Sequence, residues 1–385
     1  MSLLIDEHRE FLQDRARIEA LTRAISEVVH PGAVVADLGS GTGILGLLAC
    51  RAGAARVYSV DDSGMTGPAR KIARDCGVAD RMTFLDGHSA RVTLPERVDV
   101  IVSDIIGRIG FLSGGAAALI DTRERWLRPG GVIMPAVVHT WIAPVEHDGL
   151  YAQVDFWNQH PAGFNMSAVR EGAANTGYPH HFDLADLLAP GLAAVSCDYR
   201  SGSAELARGE VAFVVTRPGT LHGFAAWFSA ELSPSVVMTN APGAPDRIVR
   251  RNAFLPVEAP VVLQVGDTVH VSLVIRPVDF LLTWIVSCRR GPEVLASFRQ
   301  STLKGMLMVR QDLVGAAEDA TPTLNVWAAA RGTILTLCDG QRTVRDIERA
   351  VFERHRALFP SEASAQIFVA EVISRYADVS PSSRG

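Results

Sequence analysis

Apolar residues recur at helical spacing from residue 8 to 29, through Phe11, Leu12, Ile18, Leu21, Ile25, Val28 and Val29. His30-Pro31-Gly32 then breaks the helix. Beyond it, short apolar runs alternate with helical stretches. Residues 34–38, 56–60, 82–86, 98–104 and 131–135 read as strands, and 43–53, about 64–76 and 115–127 as helices. Such alternation predicts βαβ units around a parallel sheet. After Pro135 the texture changes. Residues 136–146 look extended, and 150–190 mix aromatics with turn residues. From 191 to 300 the pattern is strand-like, in GEVAFVVT, FAAWFSAEL, HVSLVI and FLLTWIVSC, with Gly, Pro and Asp between. That is an antiparallel sandwich or barrel signature. A third texture begins near Asp319, with helices predicted over 324–338, 343–357 and 362–376.

Length agrees with this division, since 385 residues suit two or three domains. Apolar residues make up 48% and charged residues 21%, an ordinary globular balance. The net charge of −5 argues against a nucleic-acid carrier. The 37 cationic residues include only two lysines, Lys71 and Lys304. No apolar run reaches 18 residues and the first residues do not read as a secretory signal, so no membrane association is expected. Five scattered cysteines without a CxxC suggest a reduced, cytosolic protein with neither a disulfide framework nor a metal site.

The strongest motif is Asp37-Leu38-Gly39-Ser40-Gly41-Thr42-Gly43, directly after the first predicted strand. Glycines at a strand-to-helix turn let the backbone approach a ligand closely. A dinucleotide fingerprint places its third glycine where Ile44 stands. Asp61 closes the second predicted strand, where a carboxylate can accept from both ribose hydroxyls. Glycines and acid together form the pattern expected for S-adenosyl-L-methionine (SAM). A structural glycine turn and a dinucleotide site are the alternatives.

VADLGSGTGILGLLACRAGAARVYSVDDS resembles the cofactor loop and second strand of the protein arginine methyltransferases. EHREFLQDRARIEA (7–20) resembles the helix with which that family covers SAM. The resemblance implies His8 and Phe11 over the cofactor, Arg17 on its methionine carboxylate, and Ser89 in the adenine-contact stretch. GFNMS (163–167) is similar to the family's dimerisation arm, and WFSAEL from Trp227 to a strand of its β-barrel. A homodimer is therefore implied. LCDGQRTV (337–344) resembles the small PqqD-like helical domains that grip leader peptides, although a structural cap on the barrel accounts for it as well.

In the family two glutamates on the loop after the fourth strand clamp the acceptor guanidinium. Here Asp104 matches the first and Ser113, uncharged, the second. The family's Thr-His-Trp loop falls near Arg247-Ile248-Val249, without its histidine. Asp104 is the candidate that orients or deprotonates the acceptor, and Ser113 the candidate beside it. A capping acid and an ordinary loop serine are the plainer readings. His180-His181 lack ligand spacing, and His222 and His270 read as structural, as Trp157 and Trp227 read as packing.

The expected fold is α/β. A helical lid (1–30) precedes a Rossmann-like SAM-binding domain (31–136). A β-barrel substrate domain follows (137–305), with an arm-like insertion at 150–190, and then a helical tail (319–378). The expected reaction is methyl transfer from SAM to a guanidino or amino nitrogen of a small molecule or peptide, in specialised metabolism because the clamp is altered. O- or C-methylation, or a silent SAM- or peptide-binding protein, are the alternatives.

Overall fold

The computed structural model describes residues 4–202, 206–306, 321 and 323–377. Residues 1–3 of the expected lid, 203–205 of the expected barrel domain and 319, 320, 322 and 378 of the expected tail lie outside the described residues. The described chain forms two units, divided after Leu307.

The first unit begins with two helices where the periodicity predicts one. They are α1 (Leu4–Gln13) and α2 (Arg15–Val28). Asp14 parts them, because it leaves helical dihedrals (φ −74°, ψ 92°) and its side chain accepts from Arg17 N as the N-cap of α2. Leu21, Ala24 and Ile25 of α2 are buried.

The parallel sheet comprises β1 (Val34–Leu38), β2 (Arg56–Asp61), β3 (Met82–Asp86), β4 (Val98–Ser103) and β5 (Leu127–Met134) in the order β3-β2-β1-β4-β5. Helices α3 (Ile44–Arg51), α4 (Thr66–Asp75) and α5 (Gly115–Trp126) lie between strands. All of β4 is buried, as expected of a strand covered on both faces. The chain leaves β1 toward β2 and returns to β4 on the other side. The loops after β1 and β4 therefore flank a switch point, where open α/β sheets bind ligands. Ser103 closes that edge: its Oγ donates to Leu38 O at 2.9 Å and accepts from Ile105 N at 3.3 Å.

Residues beyond Met134 form two antiparallel sheets. The first holds β6 (Val137–Val145), β7 (Tyr178–His180), β8 (Leu192–Asp198), β10 (Gly219–Glu231), β11 (Val237–Thr239) and β12 (Asn252–Leu263). The second has the order β15-β14-β13-β9, from β9 (Ala207–Val214), β13 (Thr268–Arg276), β14 (Leu281–Arg290) and β15 (Glu293–Ser301). Alternation is plain in β13 and β14, where Val269, Val271, Leu273 and Ile275 face inward with Leu282, Trp284, Val286 and Cys288. One apolar core runs from α2 and the parallel sheet through both antiparallel sheets. A smaller core gathers Leu150, Tyr151 and Val154 of α6 (Asp148–Asp155) with Phe182, Trp227 and Phe254 beneath the arm. Trp227 is thus a packing residue.

The second unit has its own core, built from Ile334, Leu337, Ile347, Val351, Phe368, Val369 and Val372. Its helices are Val326–Leu337, Val344–Arg354 and Glu362–Tyr376. Thr343 and Asp346 form the capping box that starts the second helix. Among the described residues of this unit there is no strand, so the strand edge on which PqqD-like domains hold peptides is not among them.

Candidate active site

The three motif glycines occupy left-handed backbone, with φ of 70° at Gly39, 49° at Gly41 and 79° at Gly43. A side chain at Gly41 would also strike the imidazole of His8, so the lid sits directly on the loop. Gly43 caps α3. Asp37 accepts from Gly46 N at 2.9 Å through Oδ2 and is fully buried. Burial pushes its carboxyl up to about 7; the Gly46 hydrogen bond opposes this and the Asp61 charge adds to it. Asp61 Oδ2 accepts from Gly41 N at 2.7 Å, and Oδ1 from Ser63 N at 2.8 Å. The second-strand acid is thereby locked onto the glycine loop.

Arg17 and Asp104 form an ion pair in which both side chains are buried. Arg17, which the resemblance aims at the methionine carboxylate, is thus also the partner of the candidate catalytic acid. Its Nε is buried without a hydrogen-bond partner. Burial, then Arg250, lowers the Arg17 guanidinium to about 9, and Asp14 counters, so it is charged at neutral pH. Phe11 lies against this guanidinium, whose carbon is 3.9 Å from the ring centroid, and Arg250 approaches the same ring at 5.3 Å. Ser89 is buried and opens a short 3-10 turn after β3.

Ser113 does not join Asp104 by any hydrogen bond. It is exposed, and its Oγ donates to Val278 O at 3.1 Å. The loop between the two is shaped by glycine. A Cβ at Gly107 would collide with Phe111 O, and one at Gly110 (φ 98°) would lie 2.5 Å from Val138 Cγ1. Thr140 Oγ1 donates to Ile109 O at 2.6 Å and pins the loop to β6.

Four residues escape sequence reasoning. Asp14 caps α2 and also accepts from Val249 N at 2.7 Å, joining the lid to the loop before β12. Asn240, buried, sends its amide toward Arg108 O, Arg250 O and Arg251 O at 2.9, 3.3 and 3.4 Å. Arg250 and Arg251 therefore stand beside the Asp104 loop. The Arg-Arg pair after the altered Thr-His-Trp position is the only sequence signal for them. Two of the histidines set aside earlier have packing or capping partners: His222 Nδ1 accepts from His147 N at 3.0 Å, and His180 packs edge-on against His147, while His181 and His270 are exposed. No group of described residues could hold a metal ion, and no described helix is long and apolar enough to cross a membrane.

His8 Nε2, Arg17 Nε, Asp37 Oδ1 and Ser40 Oγ are buried and without hydrogen-bond partners, and all belong to the lid or the glycine loop. Buried polar atoms are costly to leave unpaired. Their concentration here fits a polar ligand against Gly39–Gly43 with a carboxylate toward Arg17, as SAM would present. The fold and the site together define a SAM-dependent methyltransferase class.

Comparison with known proteins narrows that class. Residues 136–280 match the arginine methyltransferase oligomerization subdomain, and residues 19–135 match ribosomal protein L11 methyltransferase (PrmA). Human protein arginine N-methyltransferase 2 is 30% identical over 310 residues, covering 74% of this chain and 71% of that protein. Probable protein arginine N-methyltransferase 6 of Arabidopsis thaliana is 32% identical over 248 residues, or 59% of this chain; the match spans only 54% of that relative's length. Among solved structures, the Trypanosoma brucei PRMT1 enzyme-prozyme complex with AdoHcy is similar with a TM-score of 0.69 and 20% identity, over 76% of this chain and 96% of that one. Arabidopsis thaliana protein arginine methyltransferase 10 gives 0.64 and 20%, over 77% and 97%. The chain belongs to the protein arginine methyltransferase family, whose cofactor is SAM.

Proposed function

We propose that this chain methylates a guanidino nitrogen of arginine in a peptide or protein acceptor. The observation that carries the reading is the Asp104 carboxylate, buried against Arg17 at the end of β4, beside the glycine loop. SAM, when bound, supplies an electrophilic methyl group. Gly39, Gly41 and Gly43 would hold it through their backbone, Asp61 at its ribose, Arg17 at its carboxylate, and Ser89, His8 and Phe11 around the rest. Asp104 would hold the acceptor guanidinium, fix which nitrogen faces the methyl group, and draw positive charge away from it. Arg17 orients that carboxylate.

The names of the relatives support a protein acceptor over the small molecule of specialised metabolism expected from the loop alone. The name of the matched subdomain and the exposed Phe156, Phe164, Met166 and Val169 of the arm support a homodimer.

The test is transfer from methyl-labelled SAM to arginine peptides by wild type and Asp104→Asn. The reading expects labelled peptide from wild type, at least a hundredfold loss in the variant, and SAM affinity retained by calorimetry. SAM binding without transfer to any peptide would leave only a silent binder.

A further inference from the structure

An arginine methyltransferase must hold a cation, yet three arginines stand on the loops beside Asp104. Arg108, Arg250 and Arg251 converge through their backbone carbonyls on the single amide of Asn240. Arg250 shares the Phe11 ring with Arg17. Among the described residues, the Arg108, Arg250 and Arg251 side chains have no hydrogen-bonding or ion-pair partner. Arg250 Nη1 is wholly buried in that state. Burial first, then Arg251 and Arg250, lowers the Arg108 guanidinium. Burial lowers Arg250 to about 10, with Asp14 countering, so its charge persists at neutral pH. Asp14 offsets part of the Arg250 charge, but neither nearby acid forms an ion pair with any of the three. Both Asp14 oxygens are taken by the backbone of Arg17 and Val249, and Asp104 is paired with Arg17.

Like charges gathered without counter-ions are unfavourable, and a planar guanidinium fork matches a carboxylate or phosphate bidentately. We infer that the acceptor arginine carries an oxyanion beside it, which Arg108, Arg250 and Arg251 hold while Asp104 holds its guanidinium. This rests on the methyltransferase reading above. It explains the uncharged Ser113 at the second clamp position: part of the acceptor's grip has moved from its guanidinium to its neighbouring anion. A terminal carboxylate and an acidic flanking side chain of a peptide share this chemistry, and free arginine is the probe that separates the carboxylate from the peptide.

The test is calorimetry on the full chain saturated with S-adenosylhomocysteine. The probes are acetyl-Gly-Gly-Arg as the free acid and as the amide, an amidated peptide with Asp on both sides of Arg, its Gly-flanked counterpart, and free arginine. The expected result is at least tenfold tighter binding of one or more carboxylate-bearing probes than of its uncharged counterpart, with arginine amide the counterpart of free arginine. Inorganic phosphate should compete. The preference should fall to about one in Arg250→Met. Arg108→Gln and Arg251→Gln, at exposed positions, should each weaken it severalfold even if Arg250→Met fails to fold. The probe that binds tightest identifies the source of the anion. Equal binding of acids and their counterparts, or binding of none of them, overturns the inference. Failure to bind S-adenosylhomocysteine at all would instead sink the methyltransferase reading.

Discussion

At the scale of single residues, the site turns on two carboxyls in different surroundings. Asp104 is buried with a cation, so removing it strands the charge of Arg17. Asp104→Ala should cost about 3 kcal/mol of stability, whereas pairing it with Arg17→Met should recover most of that loss. Urea unfolding of the two variants checks this, and an undiminished cost in the double variant would refute the pairing. Asp37 is buried without a cation, and its folded-state pKa is raised to about 7. The folded chain therefore binds more protons than the unfolded chain between about pH 4 and pH 7. The Asp37 contribution is fully present at the acidic end and fades as pH rises to 7. Asp37→Asn should flatten stability over that window, and parallel unfolding curves at pH 5 and 7 would contradict the assignment. These acids were legible in the sequence because Asp37 opens the glycine motif near the end of β1 and Asp104 follows β4 at the switch point. Arg250 and Arg251 were not, since only the fold brings their loop beside Arg108.

At the scale of elements, the lid is held by contacts the periodicity does not encode. Residues 8–29 read as one helix because apolar spacing continues across Asp14. The break exists because the Asp14 carboxylate is satisfied twice, by the cap of α2 and by Val249 N. Asp14→Ala should lose about 1 kcal/mol as a cap. It should also raise KM for SAM severalfold by loosening the lid. An unchanged KM would mean the lid does not need that tie. Gly41→Ala adds a methyl group where His8 rests and strains a left-handed residue. It should weaken S-adenosylhomocysteine binding at least tenfold with little change in Tm; equal affinity would place the cofactor elsewhere. Four parallel strands and the three tail helices fall close to their predicted bounds, whereas β5 begins at Leu127, four residues before the expected 131. β12 does not stand out in the sequence because Pro256 and Pro260 interrupt its run. Pro256 is accommodated opposite Gly223, at a register shift in the ladder with β10.

At the scale of the molecule, each unit has its own core. Residues 1–306 alone should fold and bind S-adenosylhomocysteine within about twofold of the full chain. Calorimetry on the truncated chain checks this; aggregation or lost affinity would contradict it. Loss of peptide binding alone would mark the tail as a peptide reader. Exposed apolar residues on the arm give the oligomer its test. Phe164→Asp with Met166→Asp should convert a dimer to a monomer in sedimentation, and a wild-type monomer would remove the homodimer proposal.

Asp104 is proposed to present a guanidino nitrogen to SAM. The most direct test is tandem mass spectrometry of the product formed from methyl-labelled SAM and an arginine peptide flanked by carboxylates. One labelled methyl on a guanidino nitrogen, lost with Asp104→Asn, is the expected product. A label on oxygen or carbon, or a guanidino label that survives Asp104→Asn undiminished, would contradict the proposal.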